Sequence, residues 1–197
     1  MSRRLLYIVG AVAVVAVLAI GLSQAGSTSN KADQTSMPLS EQRAKLAGAP
    51  APLAQLHGQA ATLLDGGPTA VNARIEALRA AGYPVVINKW AAWCGPCRLE
   101  FPVFQRVSVK LGKRVAFLGL DGKDDHDAAT RFLAKIPLSY PSYKDPNERA
   151  AHALEAGTFY PTTVFVDRRG HRTVHQGPYE DDATLERDIA RYALGRA

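Results

Sequence analysis

The stretch from Asn88 to Pro102, NKWAAWCGPCRLEFP, contains both cysteines of the 197-residue chain. Two residues separate Cys94 from Cys97, Trp93 comes directly before the pair, and Glu100 follows it. Such a pair can be a structural disulfide, half of a metal site or a reactive dithiol. Because a secreted protein that depends on disulfides for stability usually carries several, a single close pair favours redox chemistry.

The residues around the pair predict a strand that leads directly into a helix. Val85–Ile87 is a short apolar run, and four apolar residues at helical spacing follow the cysteines (Phe101, Phe104, Val107 and Leu111). Cys94 then lies at the start of the helix and Cys97 one turn later, with their Cα atoms about 5–6 Å apart. The free N–H groups and the helix dipole lower the pKa of the Cys94 thiol. The pattern predicts an accessible nucleophile, Cys94, and a sheltered Cys97 that resolves a mixed disulfide.

The two alternatives for the cysteine pair are weaker. A disulfide that closes so short a loop stabilises a domain only slightly. His171 and His175 complete a C-x2-C…H-x3-H pattern, but roughly 70 residues separate its halves, against about a dozen in a zinc finger. We therefore assign no metal. Nucleic-acid binding is not expected either, because the net charge of +6 is modest and no run of Lys or Arg occurs.

The amino-terminal residues predict a membrane anchor. Residues 1–4 include Arg3 and Arg4, and Leu5–Leu22 follows without a charged residue. Eighteen helical residues span about 27 Å, close to the thickness of the hydrocarbon core of a bilayer. The arginines predict that residues 1–4 are cytoplasmic and that the rest of the chain lies outside the cytoplasm. The alternative is a cleaved signal peptide that ends at Ser23–Ala25.

Composition and periodicity divide the remainder of the chain into a tether and a domain. Residues 23–52 are rich in Ser, Thr, Ala, Gly, Gln and Pro, which predicts a flexible tether with only a short possible helix near Ser40–Leu46. Residues 53–197 alternate between helical and strand patterns, and a β-hairpin is predicted near the end (Thr162–Asp167 and His171–Gln176). This pattern predicts an α/β domain with a mixed sheet covered by helices.

The motif resembles that of a known superfamily. WCGPC after such a strand is similar to thioredoxin, and the longer WCGPCRLEFP, the predicted export and the segment from Asp121 to Tyr160 resemble the membrane-anchored TlpA/ResA-like thiol–disulfide oxidoreductases. The likeness runs from about Val85 to the carboxyl terminus. It implies a thioredoxin-like α/β fold, with a central mixed β-sheet flanked by helices.

The resemblance also implies roles for residues outside the cysteine pair. YPTTVFVDRRG resembles the family's cis-proline strand, which makes Pro161 the candidate cis residue beside the dithiol and places Tyr160 and Trp93 at the substrate. Thioredoxin has a buried acid at the position of Asn88, and the ResA-like branch has a glutamate at that of Glu100. Glu100 is then expected to tune the ionisation of Cys97; the alternative is an exposed acid that interacts only with the helix dipole.

The expected function is that of a single-pass, membrane-anchored thiol–disulfide oxidoreductase outside the cytoplasm, with the Cys94–Cys97 dithiol in place of a cofactor. The Gly95-Pro96 spacer resembles that of reducing thioredoxins. The family implies exported disulfide proteins as substrates, apocytochromes c in cytochrome c maturation among them, and a membrane protein as electron donor. The alternatives are a disulfide-forming oxidase and a copper-binding chaperone that uses Cys94, Cys97 and a histidine.

Overall fold

A six-stranded mixed sheet forms the centre of the computed structural model, which describes residues 36–196. The strands are β1 (Leu63–Leu64), β2 (Val85–Trp90), β3 (Ala116–Gly122), β4 (Ser142–Asp145), β5 (Thr162–Val166) and β6 (Arg172–Gln176). Their spatial order is β1-β4-β3-β2-β5-β6. The first four strands in this order run parallel, and β5 and β6 are antiparallel to their neighbours. The mixed sheet predicted from the alternating pattern is therefore confirmed.

Helices precede, connect and follow these strands. They are α1 (Leu39–Leu46), α2 (Ala51–Gly58), α3 (Gly67–Ala80), α4 (Gly95–Leu111), α5 (His126–Lys135), α6 (Arg149–Ala153) and α7 (Asp182–Asp188), which continues as a π-helical turn (Ile189–Ala193). The segment between β3 and β5 contains α5, β4 and α6. Because β4 joins the sheet beside β3, this segment is part of the domain core.

The two central strands bring the chain to the cysteines. Every residue of β2 and β3 is buried, as expected for parallel strands covered on both faces. Trp90, the last residue of β2, packs its ring 5.0 Å from that of Phe101 in α4 and 5.6 Å from that of Phe132 in α5. Its indole N–H donates a hydrogen bond to Ser142 Oγ over 3.0 Å. Trp90 thus joins β2, both helices and β4 immediately before the cysteine pair.

The domain extends further toward the amino terminus than composition suggested. Residues from Met37 onward belong to one compact unit, so the second half of the predicted tether, residues 37–52, contains α1 and the start of α2 instead. Leu46, Leu53 and Leu56 are buried, and the Gln42 side chain donates to the backbone carbonyl of Pro137 over 2.8 Å. These few apolar side chains attach the two short helices to the domain, although the composition of residues 37–52 resembles that of a linker.

The predicted membrane anchor, Leu5–Leu22, and residues 23–35 of the predicted tether lie outside the described residues. Within residues 36–196, none of the helices is both long and apolar enough to cross a bilayer.

Candidate active site

The two cysteines form a disulfide at the start of α4. Their Cα atoms lie 5.3 Å apart, within the predicted range. Cys94 is the N-cap residue of α4, and the backbone N–H of Cys97 donates to Cys94 Sγ over 3.1 Å. The first N–H groups of a helix have no hydrogen-bond partner within the helix, so an electron-rich sulfur at the N-terminus is expected to accept from one of them. After reduction the same N–H would stabilise a Cys94 thiolate.

Cys94 is less accessible in this oxidised form than the sequence predicted. Only 4% of Cys94 is exposed, against 0% of Cys97. The disulfide holds the Cys94 side chain against the first turn of α4, and this is why it is mostly covered. The neighbouring residues Trp93, Gly95 and Pro96 are exposed, so the pair lies directly beneath the surface, with Cys94 as its outer member.

The rim of the site is aromatic. Trp93 is 58% exposed, and its indole N–H donates to the backbone carbonyl of Lys123 over 2.9 Å. The centroids of the Trp93 and Tyr160 rings lie 5.0 Å apart, so the structure brings together these two predicted substrate-contact residues. The Tyr160–Pro161 peptide bond is cis, as the resemblance implied.

A charge cluster formed by Lys89, Glu148 and Lys123 contacts Tyr160. Lys89 of β2 is only 1% exposed, and its ammonium lies 2.8 Å from Glu148 Oε1 and 4.0 Å from the centroid of the Tyr160 ring. It also donates to the backbone carbonyl of Gly157 over 2.7 Å. The Tyr160 hydroxyl donates to Glu148 Oε1 over 2.8 Å. Lys123 approaches the other oxygen of Glu148, at 2.5 Å.

Sequence reasoning missed this cluster. Burial by itself would raise the pKa of Glu148, but hydrogen bonds from Lys123, Lys89 and Tyr160 outweigh burial and lower the pKa. The carboxylate therefore stays ionised opposite Lys89. A signal was present in β2, where Lys89 interrupts an otherwise uncharged strand that was expected to be buried. The identity of its partner, 59 positions later, was not readable from that pattern.

Glu100 is a buried acid, which removes the alternative of an exposed helix-dipole residue. It is 0% exposed; Asn88 Nδ2 donates to Oε1 over 2.6 Å, and the backbone N–H of Tyr179 donates to Oε2 over 3.2 Å. Burial raises the pKa of Glu100 to about 8, and the two hydrogen bonds partly oppose that rise. The two positions that the resemblance singled out, Asn88 and Glu100, are thus hydrogen-bonded to each other.

Asp121 of β3 is a second buried carboxyl group with a raised pKa, and it was also missed from the sequence. Asp121 is buried near the end of β3, in register with Trp90, and burial together with the Asp124 carboxylate raises its pKa to about 8. Asp124 accepts a short hydrogen bond from the backbone N–H of Ala92, two residues before Cys94. Asp124 therefore anchors the segment that carries the chain from β2 to the disulfide.

The histidines of the zinc-like pattern have other contacts. His171 Nδ1 lies 3.0 Å from Asp167 Oδ2 at the hairpin turn, and the His175 ring stacks on that of Tyr179, with centroids 4.4 Å apart. Throughout residues 36–196, no three His, Cys, Asp or Glu side chains are grouped so as to hold a metal ion.

The fold and the site together define a thioredoxin-like protein: a mixed sheet, a Cys-x-x-Cys disulfide at a helix N-terminus and a cis-proline strand next to the central strand β2. Residues 48–173 match the model of the AhpC/TSA family, and the chain belongs to that family. Relatives named as thiol–disulfide oxidoreductases confirm the resemblance predicted from the sequence.

Two curated relatives illustrate the likeness. The thiol:disulfide interchange protein DsbE of Pseudomonas fluorescens biotype C is 34% identical over 90 residues, which are 45% of this chain and 48% of the relative. The thiol-disulfide oxidoreductase ResA of Oceanobacillus iheyensis is 29% identical over 92 residues, 45% of this chain and 46% of the relative. The chain thus spans about half the length of these curated relatives.

Solved structures show the same fold. DsbF of Mycobacterium tuberculosis, in mixed oxidised and reduced forms, superposes with a TM-score of 0.55 at 28% identity, over 60% of this chain and 85% of that one. A structure described as a putative DsbE from Chlorobium tepidum gives a TM-score of 0.51 at 29% identity, over 56% and 80% of the two chains. These matches confirm the thioredoxin-like α/β fold of the domain.

Proposed function

We propose that this protein is a thiol–disulfide oxidoreductase that reduces disulfides of exported proteins through Cys94 and Cys97. The observation that carries the proposal is the Cys94–Cys97 disulfide at the N-terminus of α4, with the N–H of Cys97 directed at Cys94 Sγ. The names of the relatives, a thiol:disulfide interchange protein and a thiol-disulfide oxidoreductase, support this reaction class.

The reaction proceeds from the reduced dithiol in two exchanges. The Cys94 thiolate attacks one sulfur of the substrate disulfide, and the other substrate sulfur leaves as a thiolate that takes up a proton. Cys97, as a thiolate, then attacks Cys94 Sγ, and the second substrate sulfur leaves. The substrate gains two electrons and two protons, and the enzyme is left with the Cys94–Cys97 disulfide.

Glu100 accepts the Cys97 proton in the second exchange. It lies one helical turn after Cys97, and both residues are buried. Asn88 cannot act as the base because a side-chain amide is not basic; its NH2 group donates to Glu100 instead. A carboxyl group whose pKa is close to 8 can exchange a proton with a thiol near neutral pH, whereas an ordinary carboxylate is too weak a base. Burial of Glu100 thus supports the role predicted from its position.

The substrate chain lies across the aromatic rim. Trp93 and Tyr160 contact each other at the edge of the site, and Pro161 follows with its cis bond. We assign the backbone around Tyr160 and Pro161 to pairing with the substrate segment that carries the disulfide. Lys89 and Glu148 hold Tyr160 in place and are positioning residues.

Export and anchoring rest on the sequence and on the family. Leu5–Leu22 anchors the chain, and the catalytic domain acts outside the cytoplasm on exported disulfide proteins, with apocytochromes c as the candidate substrates. The chain contains no second cysteine pair to relay electrons. A membrane protein is therefore the proposed electron donor.

The redox potential distinguishes a reductase from a disulfide-forming oxidase. We expect equilibration with glutathione or dithiothreitol buffers, followed by thiol alkylation, to give a potential near the −270 mV of thioredoxin. A value near −120 mV, as in strongly oxidising relatives of thioredoxin, would assign the opposite direction. Copper bound to the purified reduced protein in stoichiometric amount would instead support the chaperone alternative.

Glu100→Gln tests the proton acceptor. The carboxylate fraction of Glu100 grows as pH rises toward its pKa of about 8, so the wild-type rate of mixed-disulfide resolution should rise through an inflection there. The Gln variant should lose this inflection and be slowed about tenfold, which is less than the usual contribution of about 10²–10⁴-fold from general acid–base catalysis, because a thiol is already fairly acidic. Stopped-flow rates between pH 5 and 10 measure both effects, and superimposable profiles would leave Glu100 without a role in proton transfer.

The same variant has a stability signature with a defined sign. Because the pKa of Glu100 is raised on folding, the folded protein retains a proton that the unfolded chain has lost between about pH 4.5 and 8, so wild-type stability falls with pH in this range. Glu100→Gln removes this contribution. The stability of the variant relative to wild type should therefore increase from about pH 4.5 to 8 and be constant above that range.

A further inference from the structure

A groove opens beside the disulfide, between the cysteine loop and α5. Its volume is about 420 Å³, and its apolar lining includes Ala92, Trp93 and Phe132. Trp93 belongs both to this groove and to the aromatic rim, where it contacts Tyr160. A substrate polypeptide that crosses the rim to bring its disulfide to Cys94 would therefore lie next to this groove.

Bases outnumber acids, three to two, in the polar lining of the groove. Arg98 of α4 and Arg131 and Lys135 of α5 line it, and all three are exposed. The Arg98 guanidinium lies 5.5 Å from the centroid of the Phe132 ring, which places its charge over the apolar floor. Arg131 and Lys135 are one helical turn apart and therefore share a face of α5. Among the ion pairs formed by residues 36–196, none involves these three side chains.

The two acids in the groove bind backbone groups instead of these bases. Asp124 accepts hydrogen bonds from the backbone N–H groups of Ala92 and Asp125. Asp125 is the N-cap of α5 and accepts from the backbone N–H of Ala128 over 2.9 Å. The groove therefore has an apolar floor and a rim on which three bases outnumber two acids, and the two carboxylates are directed at backbone N–H groups and leave the bases available.

We propose that this groove binds an acidic segment of the substrate polypeptide next to the disulfide that is reduced. The proposal rests on the proposed function, since it describes the substrates of the same site. Asp or Glu side chains would pair with Arg98, Arg131 and Lys135 while the adjoining apolar residue covers Phe132. Exposed ion pairs are individually weak, so the expected selectivity for acidic substrates is about tenfold and depends on salt.

Two matched disulfide peptides test the preference in the full-length protein. They differ only in having Glu or Gln at the positions that flank the reactive cysteine. The expected kcat/KM is about tenfold higher for the Glu peptide at low ionic strength, and the ratio should approach one at 1 M salt, where the Debye length is about 3 Å. Arg131→Gln combined with Lys135→Gln should remove the preference, and Arg131→Glu combined with Lys135→Glu should reverse it.

Lys113→Gln combined with Arg114→Gln is the charge-matched control. Both residues are exposed and follow the carboxyl-terminal end of α4, about 25 Å along that helix from the disulfide. This variant loses the same charge and should keep the full preference for the Glu peptide. Measurable and equal kcat/KM values for the two peptides in the wild type, or an equal loss of preference in the control, would overturn the proposal.

A binding assay separates this inference from the proposed reaction. Versions of both peptides with Ser in place of Cys cannot undergo exchange, and fluorescence anisotropy measures their affinity for the oxidised protein. Tighter binding of the Glu version would support the groove even if neither disulfide peptide were reduced, a result that would overturn only the reductase function. Equal binding of the two versions would overturn the groove proposal.

Discussion

Cys94→Ser is expected to reduce disulfide-exchange activity to the uncatalysed rate, and Cys97→Ser to accumulate a stable mixed disulfide with substrate. Cys94 Sγ accepts the N–H of Cys97 at the helix N-terminus, so its thiolate is the stabilised nucleophile. With Cys97 replaced, the first exchange still occurs and no second thiol releases the product. Non-reducing electrophoresis and mass spectrometry of the trapped complex distinguish the two variants.

Limiting alkylation of the reduced wild-type protein provides the control for this assignment. In the oxidised form Cys94 retains a small exposed fraction and Cys97 has none, and a helix N-terminus favours the Cys94 thiolate. At neutral pH a limiting amount of iodoacetamide should therefore modify Cys94 predominantly. A predominant adduct on Cys97, or mixed disulfides trapped by Cys94→Ser and not by Cys97→Ser, would exchange the two roles.

The second large effect is expected from Lys89→Met, which should lower the free energy of unfolding by about 3–5 kcal/mol. The substitution leaves Glu148 buried without the ammonium that now lies 2.8 Å away, and only the exposed Lys123 and the Tyr160 hydroxyl remain to compensate it. Urea unfolding followed by tryptophan fluorescence measures the change. Activity should fall as well, since the Tyr160 ring loses the cation that lies 4.0 Å from its centroid.

Lys45→Met is the matched surface control. Lys45 pairs with Glu41 on the exposed side of α1, and such pairs contribute less than about 1 kcal/mol. Replacing both members of the buried pair, with Lys89→Met and Glu148→Leu, should cost less than Lys89→Met alone, because no uncompensated charge is then left inside the domain. A Lys89→Met variant as stable as Lys45→Met would show that the cluster does not hold the domain together.

The secondary structure was largely predictable because its signals are local. Val85–Ile87 and the helical spacing after the cysteines identified β2 and α4, and the turn before His171 identified the terminal hairpin. The short helix predicted near Ser40–Leu46 is present as α1, but residues 37–52 were otherwise interpreted as tether because composition describes how a segment behaves alone. Whether Leu46 or Leu53 finds a surface on which to bury depends on the rest of the domain.

The sequence by itself determined the redox centre. The cysteine spacing, the strand before the pair and the helix after it are sufficient to place Cys94 at a helix N-terminus and Cys97 one turn inside, because an α-helix relates residues i and i+3 in a fixed way. The resemblance carried by YPTTVFVDRRG, which begins at Tyr160, added the cis bond before Pro161.

Only the tertiary structure decided the environments of the acids around that centre. Glu100 is buried because Asn88, 12 positions earlier, and Tyr179, 79 positions later, close over it. Lys89 pairs with Glu148, which lies 59 positions later in the sequence. The pKa of a carboxyl group and the stability of an ion pair depend on how completely water is removed from them. Local sequence patterns do not encode this exclusion of water, because it is produced by packing between distant segments of the chain.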